Sequence, residues 1–124
     1  METYKDKDNN LIPYLLCWFD GKIKKSYWIK DYKDNPTLLG GGFNLLVENV
    51  VKDLCIKKYR NYKIYLHNFS RFDGIFLLKA LTNIENGIVE PIIQDGKLIN
   101  ISFNYNEITI HFRDSYLLLF LFLF

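Results

Sequence analysis

The stretch from Ile64 to Leu78 constrains this chain most, because a short apolar run meets a polar turn and then a second apolar run with a different period. Tyr65 and Leu66 favour a strand, Asn68 and Ser70 interrupt it, and Ile75, Phe76, Leu78, Lys79 and Leu81 recur at helical spacing. Strand, turn and helix in that order belong to an α/β fold, in which side chains just past the carboxyl end of a strand face a ligand crevice. Asn68 and Asp73 fall there. The same residues have a structural reading as well. Ser70-x-x-Asp73 ahead of an apolar run is a variant of the capping box, in which Asp73 starts the helix and nothing more.

The remaining elements follow from turn chemistry. Leu11 to Phe19, the turn Asp20-Gly21 and Lys22 to Ile29 read as a β-hairpin that opens the chain, with Pro13 suited to an edge or strand entry. A polar loop runs from Lys30 to Thr37. Gly40-Gly41-Gly42 lacks the Lys-Ser or Lys-Thr of a phosphate-binding loop and reads as a flexible joint. Phe43, Leu46, Val47, Val50, Val51, Leu54 and Tyr59 mark one face of a long helix. Ile88 to Gln94, Asp95-Gly96, Lys97 to Phe103, a turn at Asn104 to Glu107, and Ile108 to Arg113 form a three-stranded meander. His111 reads as a strand residue with no group to orient it.

Length bounds the function. A chain of 124 residues builds one domain, which leaves no room for a polymerase. With 49% hydrophobic and 24% charged residues it is globular, not disordered, and a net charge of +2 neither requires nor forbids a nucleic-acid partner. Lys, Ile, Asn, Phe and Tyr are abundant while Ala occurs once, the bias of an AT-rich genome such as that of an organelle or its plasmids. Cys17 and Cys55 lie in apolar surroundings without metal-ligand spacing and read as reduced core thiols. The amino terminus is too polar for a signal peptide and too acidic for a transit peptide.

The string from His67 through Asn68, Phe72, Asp73 and Gly74 to Phe76 resembles the second exonuclease motif of family B DNA polymerases. The likeness is greatest to the protein-primed branch of mitochondrial linear plasmids, certain phages and viruses. Glu2-Thr3-Tyr4 resembles the back half of the first motif, Asp-x-Glu-Thr, and Arg113-Asp114-Ser115-Tyr116 resembles the Asp-Ser segment before the third. Tyr116 stands where protein-primed relatives often have Leu.

The resemblance implies a ribonuclease H-like mixed sheet with flanking helices, α/β in class, forming a partial 3′–5′ exonuclease domain over residues 1–124 with the polymerase domain absent. It implies Glu2 and Asp73 as catalytic, metal-binding carboxylates for Mg2+ or Mn2+, and His67, Asn68, Phe72, Phe76, Ser115 and Tyr116 as contacts to the 3′ end of single-stranded DNA. A terminal-protein primer as partner, a role in DNA replication and a mitochondrial location follow from the same likeness. The third motif, Tyr-x-x-x-Asp, and every polymerase motif are missing from these residues. Two metals about 3.5 to 4 Å apart need several carboxylates around them, so the chain alone is expected to be inactive. The alternative is a non-catalytic single-strand-binding module or a gene remnant.

Leu117 to Phe124 is an uncharged run of Leu and Phe, too short for a bilayer, which needs about 18 to 20 residues, and it reads as a cut or altered core segment. Exposed, it promotes self-association. Deleting residues 117–124 is expected to raise the monodisperse fraction in size-exclusion chromatography. A soluble monomer with the tail intact would contradict this.

Overall fold

The computed structural model describes residues 1–5, 7–9, 11–32, 42–66 and 74–115. Strands β1 (Glu2–Lys5), β2 (Leu11–Phe19) and β3 (Lys24–Trp28) form an antiparallel sheet with β2 in the middle. Helix α1 (Gly42–Leu54) follows, then β4 (Lys63–Leu66) and helix α2 (Gly74–Thr82). The meander β5 (Ile88–Gln94), β6 (Lys97–Tyr105) and β7 (Ile108–Asp114) completes a second sheet in the order β4-β7-β6-β5. That sheet is mixed, because β4 runs parallel to β7 whereas β5, β6 and β7 alternate. The class is therefore α/β, with a mixed sheet and two helices.

Turn chemistry sets the meander. Asp95 and Gly96, then Asn106 and Glu107, all have positive φ, so each hairpin closes in a two-residue turn whose twist matches that of its strands. Along β7, Ile108, Ile110 and Phe112 point to the core while Thr109, His111 and Arg113 point away, the period of a half-buried strand. Ile92 pairs with Asn100 and Ile93 with Leu98, so Ile99 is an extra residue in β6. That bulge shifts the face parity and returns Leu98 to the buried set.

The opening hairpin forms as the sequence suggests, with two differences. The strand β1 precedes it and pairs along Leu11 to Leu15, so Pro13 has β1 as a neighbour but lies beyond the stretch of β2 that pairs with β3. The turn also spans residues 20–23 rather than two, since Phe19 and Lys24 are the closing pair. Asp20 explains the longer loop: its carboxylate accepts the backbone N–H groups of Lys22 (2.8 Å) and Ile23 (2.7 Å).

The long helix expected through Tyr59 ends at Leu54 instead. Ile56 is extended and Tyr59 sits in a separate short turn, buried, with its ring edge-on to Trp18 and Tyr62 and its hydroxyl donating to Asp20. Tertiary contacts override helical spacing there. Gly42 is a point of close approach, since a Cβ on it would lie 2.5 Å from the Tyr32 carbonyl oxygen. Cys55 is buried but Cys17 is exposed, a correction to the reading of both as core thiols. In a strand whose Leu16 is buried and whose Trp18 packs on the core, residue 17 must face outward.

One core joins both sheets and both helices. Leu46, Val47, Val50, Val51 and Leu54 of α1 and Leu77, Ala80 and Leu81 of α2 pack with Ile101, Phe103, Ile110 and Phe112 of the second sheet and with Leu16 and Tyr27 of the first. Phe103 is fully buried, stacked on Tyr105, and its ring occupies the space a Cβ on Gly87 would need. Phe103→Ala is expected to destabilise the fold by about 3–5 kcal/mol in denaturant titration. A loss well under 1 kcal/mol would contradict this core.

Candidate functional site

Parallel pairing brings two strand ends to one rim. Lys63 pairs with His111 and Leu66 with Asp114, and backbone bonds from Asn61 N–H to the Thr109 carbonyl (2.8 Å) and from His111 N–H to the Tyr62 carbonyl (3.0 Å) extend the ladder. The carboxyl ends of β4 and β7 thus lie side by side. The chain leaves β4 at Leu66, directly before His67, and leaves β7 at Asp114, directly before Ser115.

His67, Asn68, Phe72 and Asp73 lie outside the described residues, as does Tyr116. Glu2 is paired through its backbone with Leu15, at a register slip between Glu2 and Thr3. Ser115 is half-buried at the rim. Phe76 lies on α2, half-buried, with its ring edge-on to Phe43 of α1 at 6.4 Å, so it joins the two helices.

A cavity of about 800 Å³ opens between the sheets. Met1 and Thr3 border it on one side, β4 and Leu66 on another, and Val50, Leu54, Leu77 and Phe112 give it an apolar floor. The start of β1, next to Glu2, and the end of β4, next to His67, therefore line one space. Two stretches that the sequence separates by some sixty residues meet there.

Sequence reasoning passed over Asp114 as a site candidate. It is 3% exposed and closes the buried series Ile108, Ile110, Phe112 at the carboxyl end of β7. The signal was available: a carboxylate at a core-parity position at a strand end is costly to bury unless it is paired. His111 is a strand residue as read, but it does have a partner. Arg113 Nε donates to Asn100 Oδ1 (3.1 Å), Asn100 Nδ2 donates to Ser102 Oγ (3.0 Å), and Ser102 Oγ shares a 2.9 Å hydrogen bond with His111 Nδ1. The paired positions of β6 and β7 create this chain, which the linear sequence hides.

A carboxylate of α1 that faces β3 is already engaged. Asp53 accepts from Lys25 Nζ and from the Tyr27 hydroxyl, each at 2.6 Å, and Trp18 Nε1 donates to that same hydroxyl at 3.0 Å. Burial and this carboxylate push the Tyr27 phenol well above its ordinary range. Burial raises the Cys55 thiol to about 11, which keeps it protonated and unreactive. Among the described residues no three His, Cys, Asp or Glu side chains gather closely enough to hold a metal ion.

A model of the family described as "DNA polymerase type B, organellar and viral" matches residues 53–121, more than half of the chain. A "Probable DNA polymerase" of Neurospora intermedia is 31% identical over 118 residues, covering 90% of this chain and 11% of the relative. One of Ascobolus immersus is 26% identical over 125 residues, covering 96% of this chain and 9% of the relative. The chain thus spans about a tenth of the length of these curated relatives. No solved structure matches.

Asp20 generates a pH prediction. The N–H of Ile23, then the Tyr59 hydroxyl and the N–H of Lys22, with Lys58 nearby, hold its carboxyl well below its ordinary value of 3.8. A depressed carboxyl stabilises the fold at pH values above about 4 and loses that contribution as pH falls below it. Asp20→Asn is expected to lower the midpoint of thermal unfolding at pH 7 and to flatten its decline below pH 4. An unchanged acid slope in the variant would contradict the role of Asp20 as the ionised pin of the hairpin.

Proposed function

Because the chain belongs to the organellar and viral type B DNA polymerases, we propose that it is part of the proofreading 3′–5′ exonuclease region of a DNA-directed DNA polymerase that acts in DNA replication. The observation that carries this reading is the shared rim. The segment with the second-motif likeness leaves β4 where β7 delivers Asp114 and Ser115, and β1, with the first-motif likeness, borders the same cavity. A ribonuclease H-like arrangement accounts for that convergence, with ligand-facing residues beyond the carboxyl ends of neighbouring strands.

In this reading Glu2 and Asp73 are the metal-binding carboxylates, and His67, Asn68, Phe72, Phe76, Ser115 and Tyr116 receive the 3′ end of a single strand. Mg2+ or Mn2+ would supply charge stabilisation and an activated water. The described residues do not by themselves fit such a group, since they include no cluster of three ligating side chains. We place the polymerase in the mitochondrion, with a terminal-protein primer as partner, on the plasmid-type likeness and the AT-rich residue usage.

A second reading, single-strand binding without catalysis, is favoured by the outer face of the second sheet. Lys63, Tyr65, His111 and Arg113 occupy paired positions there, and Tyr65 is 43% exposed. Cationic and aromatic side chains on one face suit stacked bases, at about 1–3 kcal/mol per base.

Incubation of the pure chain with a short 3′ single strand and magnesium or manganese is expected to give oligonucleotide binding and no shortening. Metal-dependent shortening that disappears in Asp73→Ala would overturn the expected inactivity. Absence of any binding by the folded protein, with or without metal, would overturn the DNA-contacting reading itself.

A further inference from the structure

Positive charge in this chain is gathered at one end of the molecule. Lys57-Lys58-Tyr59-Arg60-Asn61-Tyr62-Lys63 carries four cations and two tyrosines in seven residues, and the first hairpin closes beside Lys22, Lys24 and Lys25. Asp20 ties the two segments together, because one of its oxygens accepts the Tyr59 hydroxyl and lies 3.6 Å from Lys58 Nζ. Phe19, Tyr62 and Lys63 then border one space.

The backbone that presents these side chains is fixed. The N–H groups of Tyr59, Arg60 and Tyr62 donate to the carbonyls of Ile56 (3.0 Å), Lys57 (3.3 Å) and Tyr59 (3.0 Å), and the Tyr62 carbonyl accepts the N–H of His111. In the hairpin, Asp20 accepts the N–H groups of Lys22 and Ile23.

Most of the charge has no internal counterpart. Lys25 is held by Asp53 and Lys58 by Asp20, whereas Lys22, Lys24, Lys57, Arg60 and Lys63 are exposed and form no ion pair with a described residue. Asp20 is the one carboxylate within these two segments, and its side chain is only 11% exposed. From the second sheet, the turn between β6 and β7 brings Glu107 towards the same end, where Asn61 N–H bonds the Thr109 carbonyl. Five like charges on fixed backbone raise the local potential and attract a polyanion.

The rings beside these cations select the kind of polyanion. Phe19 is 68% exposed and Tyr62 49% exposed. Rings presented in this way stack on unpaired bases, whose faces a duplex hides. The surface is also distinct from the rim. Residues 57–63 precede β4 and the rim lies at its carboxyl end, about 10 Å further along the strand.

We propose that this end of the molecule is a second binding surface, for single-stranded DNA, with the five cations on successive phosphates and Phe19 and Tyr62 against unpaired bases. Such a site holds a strand along its length and needs no 3′ end. The proposal rests on family membership and this charge pattern, not on the exonuclease reading.

The test measures binding of a fluorescein-labelled oligothymidine to the full 124-residue chain by fluorescence anisotropy across a salt series. At roughly 0.7 per phosphate on a single strand, five contacts give log affinity against log salt a slope of about −3.5. The double variants Lys22→Gln with Lys24→Gln and Lys57→Gln with Arg60→Gln are each expected to weaken binding about tenfold and to flatten the slope by about 1.4. Phe19→Ala is expected to weaken binding about fivefold or more and to leave the slope unchanged. Lys79→Gln with Lys97→Gln removes equal charge elsewhere and should keep affinity within about twofold. A closed circular single strand, which offers the rim no 3′ end, is expected to compete as well as a linear strand of equal length; it needs no variant, so it tests the site even if a substitution unfolds the chain. The proposal is overturned by absence of binding at low salt, by less than about twofold weakening in either the hairpin or the turn pair, or by equal weakening in the Lys79 and Lys97 pair. Failure of the circle to compete, or tighter binding to duplex DNA or to phosphatidylserine vesicles, would overturn it as well.

Discussion

The parallel contact of β4 with β7 is the constraint on which the rest of this molecule depends. β4 has four residues and, among the described residues, one strand neighbour, and it joins the amino-terminal half of the chain to the meander sheet. Without this ladder, β5, β6 and β7 would form a three-stranded meander by themselves, and the carboxyl ends of β4 and β7 would share no rim. With it, two carboxyl ends are brought together, and α1 and α2 have a sheet wide enough to bury Leu46, Val47, Leu77 and Leu81. Parallel pairing joins residues distant in sequence, at an entropic cost that the shared core must offset.

That dependence explains what could be read from the sequence. The meander was legible because its information is local: Asp95-Gly96 specifies a turn, and Ile108, Ile110 and Phe112 specify a face. The α2 helix was legible from its spacing, and β4 from Tyr65 and Leu66. The β4–β7 pairing was not, because nothing in Lys63–Leu66 names its partner. Strand β1 was hidden by its polar composition, and the end of α1 by a helical period that continues to Tyr59 while the residue itself is drawn to Asp20 and Trp18.

The candidate site divides in the same way. Its motif residues were visible through family likeness, whereas Asp114 and the Arg113–Asn100–Ser102–His111 chain emerge from strand register. Asp20 shows how a residue can be read correctly and incompletely at once. It is a turn residue, as Asp-Gly implies, but Tyr59 and Lys58 reach it from far along the chain and make it the link between the first hairpin and the end of α1. A carboxylate whose lone pairs are filled in this way stabilises structure and is poorly placed to move protons.

The measurement that tests this account most directly is a set of cross-strand contacts by nuclear magnetic resonance in the isotopically labelled chain. Interstrand contacts are expected to link Lys63 to His111, Ile64 to Phe112 and Leu66 to Asp114 in one ascending order, as parallel strands require. Contacts in descending order, or none between these segments in a folded protein, would contradict it, and with it the shared rim on which the functional reading stands.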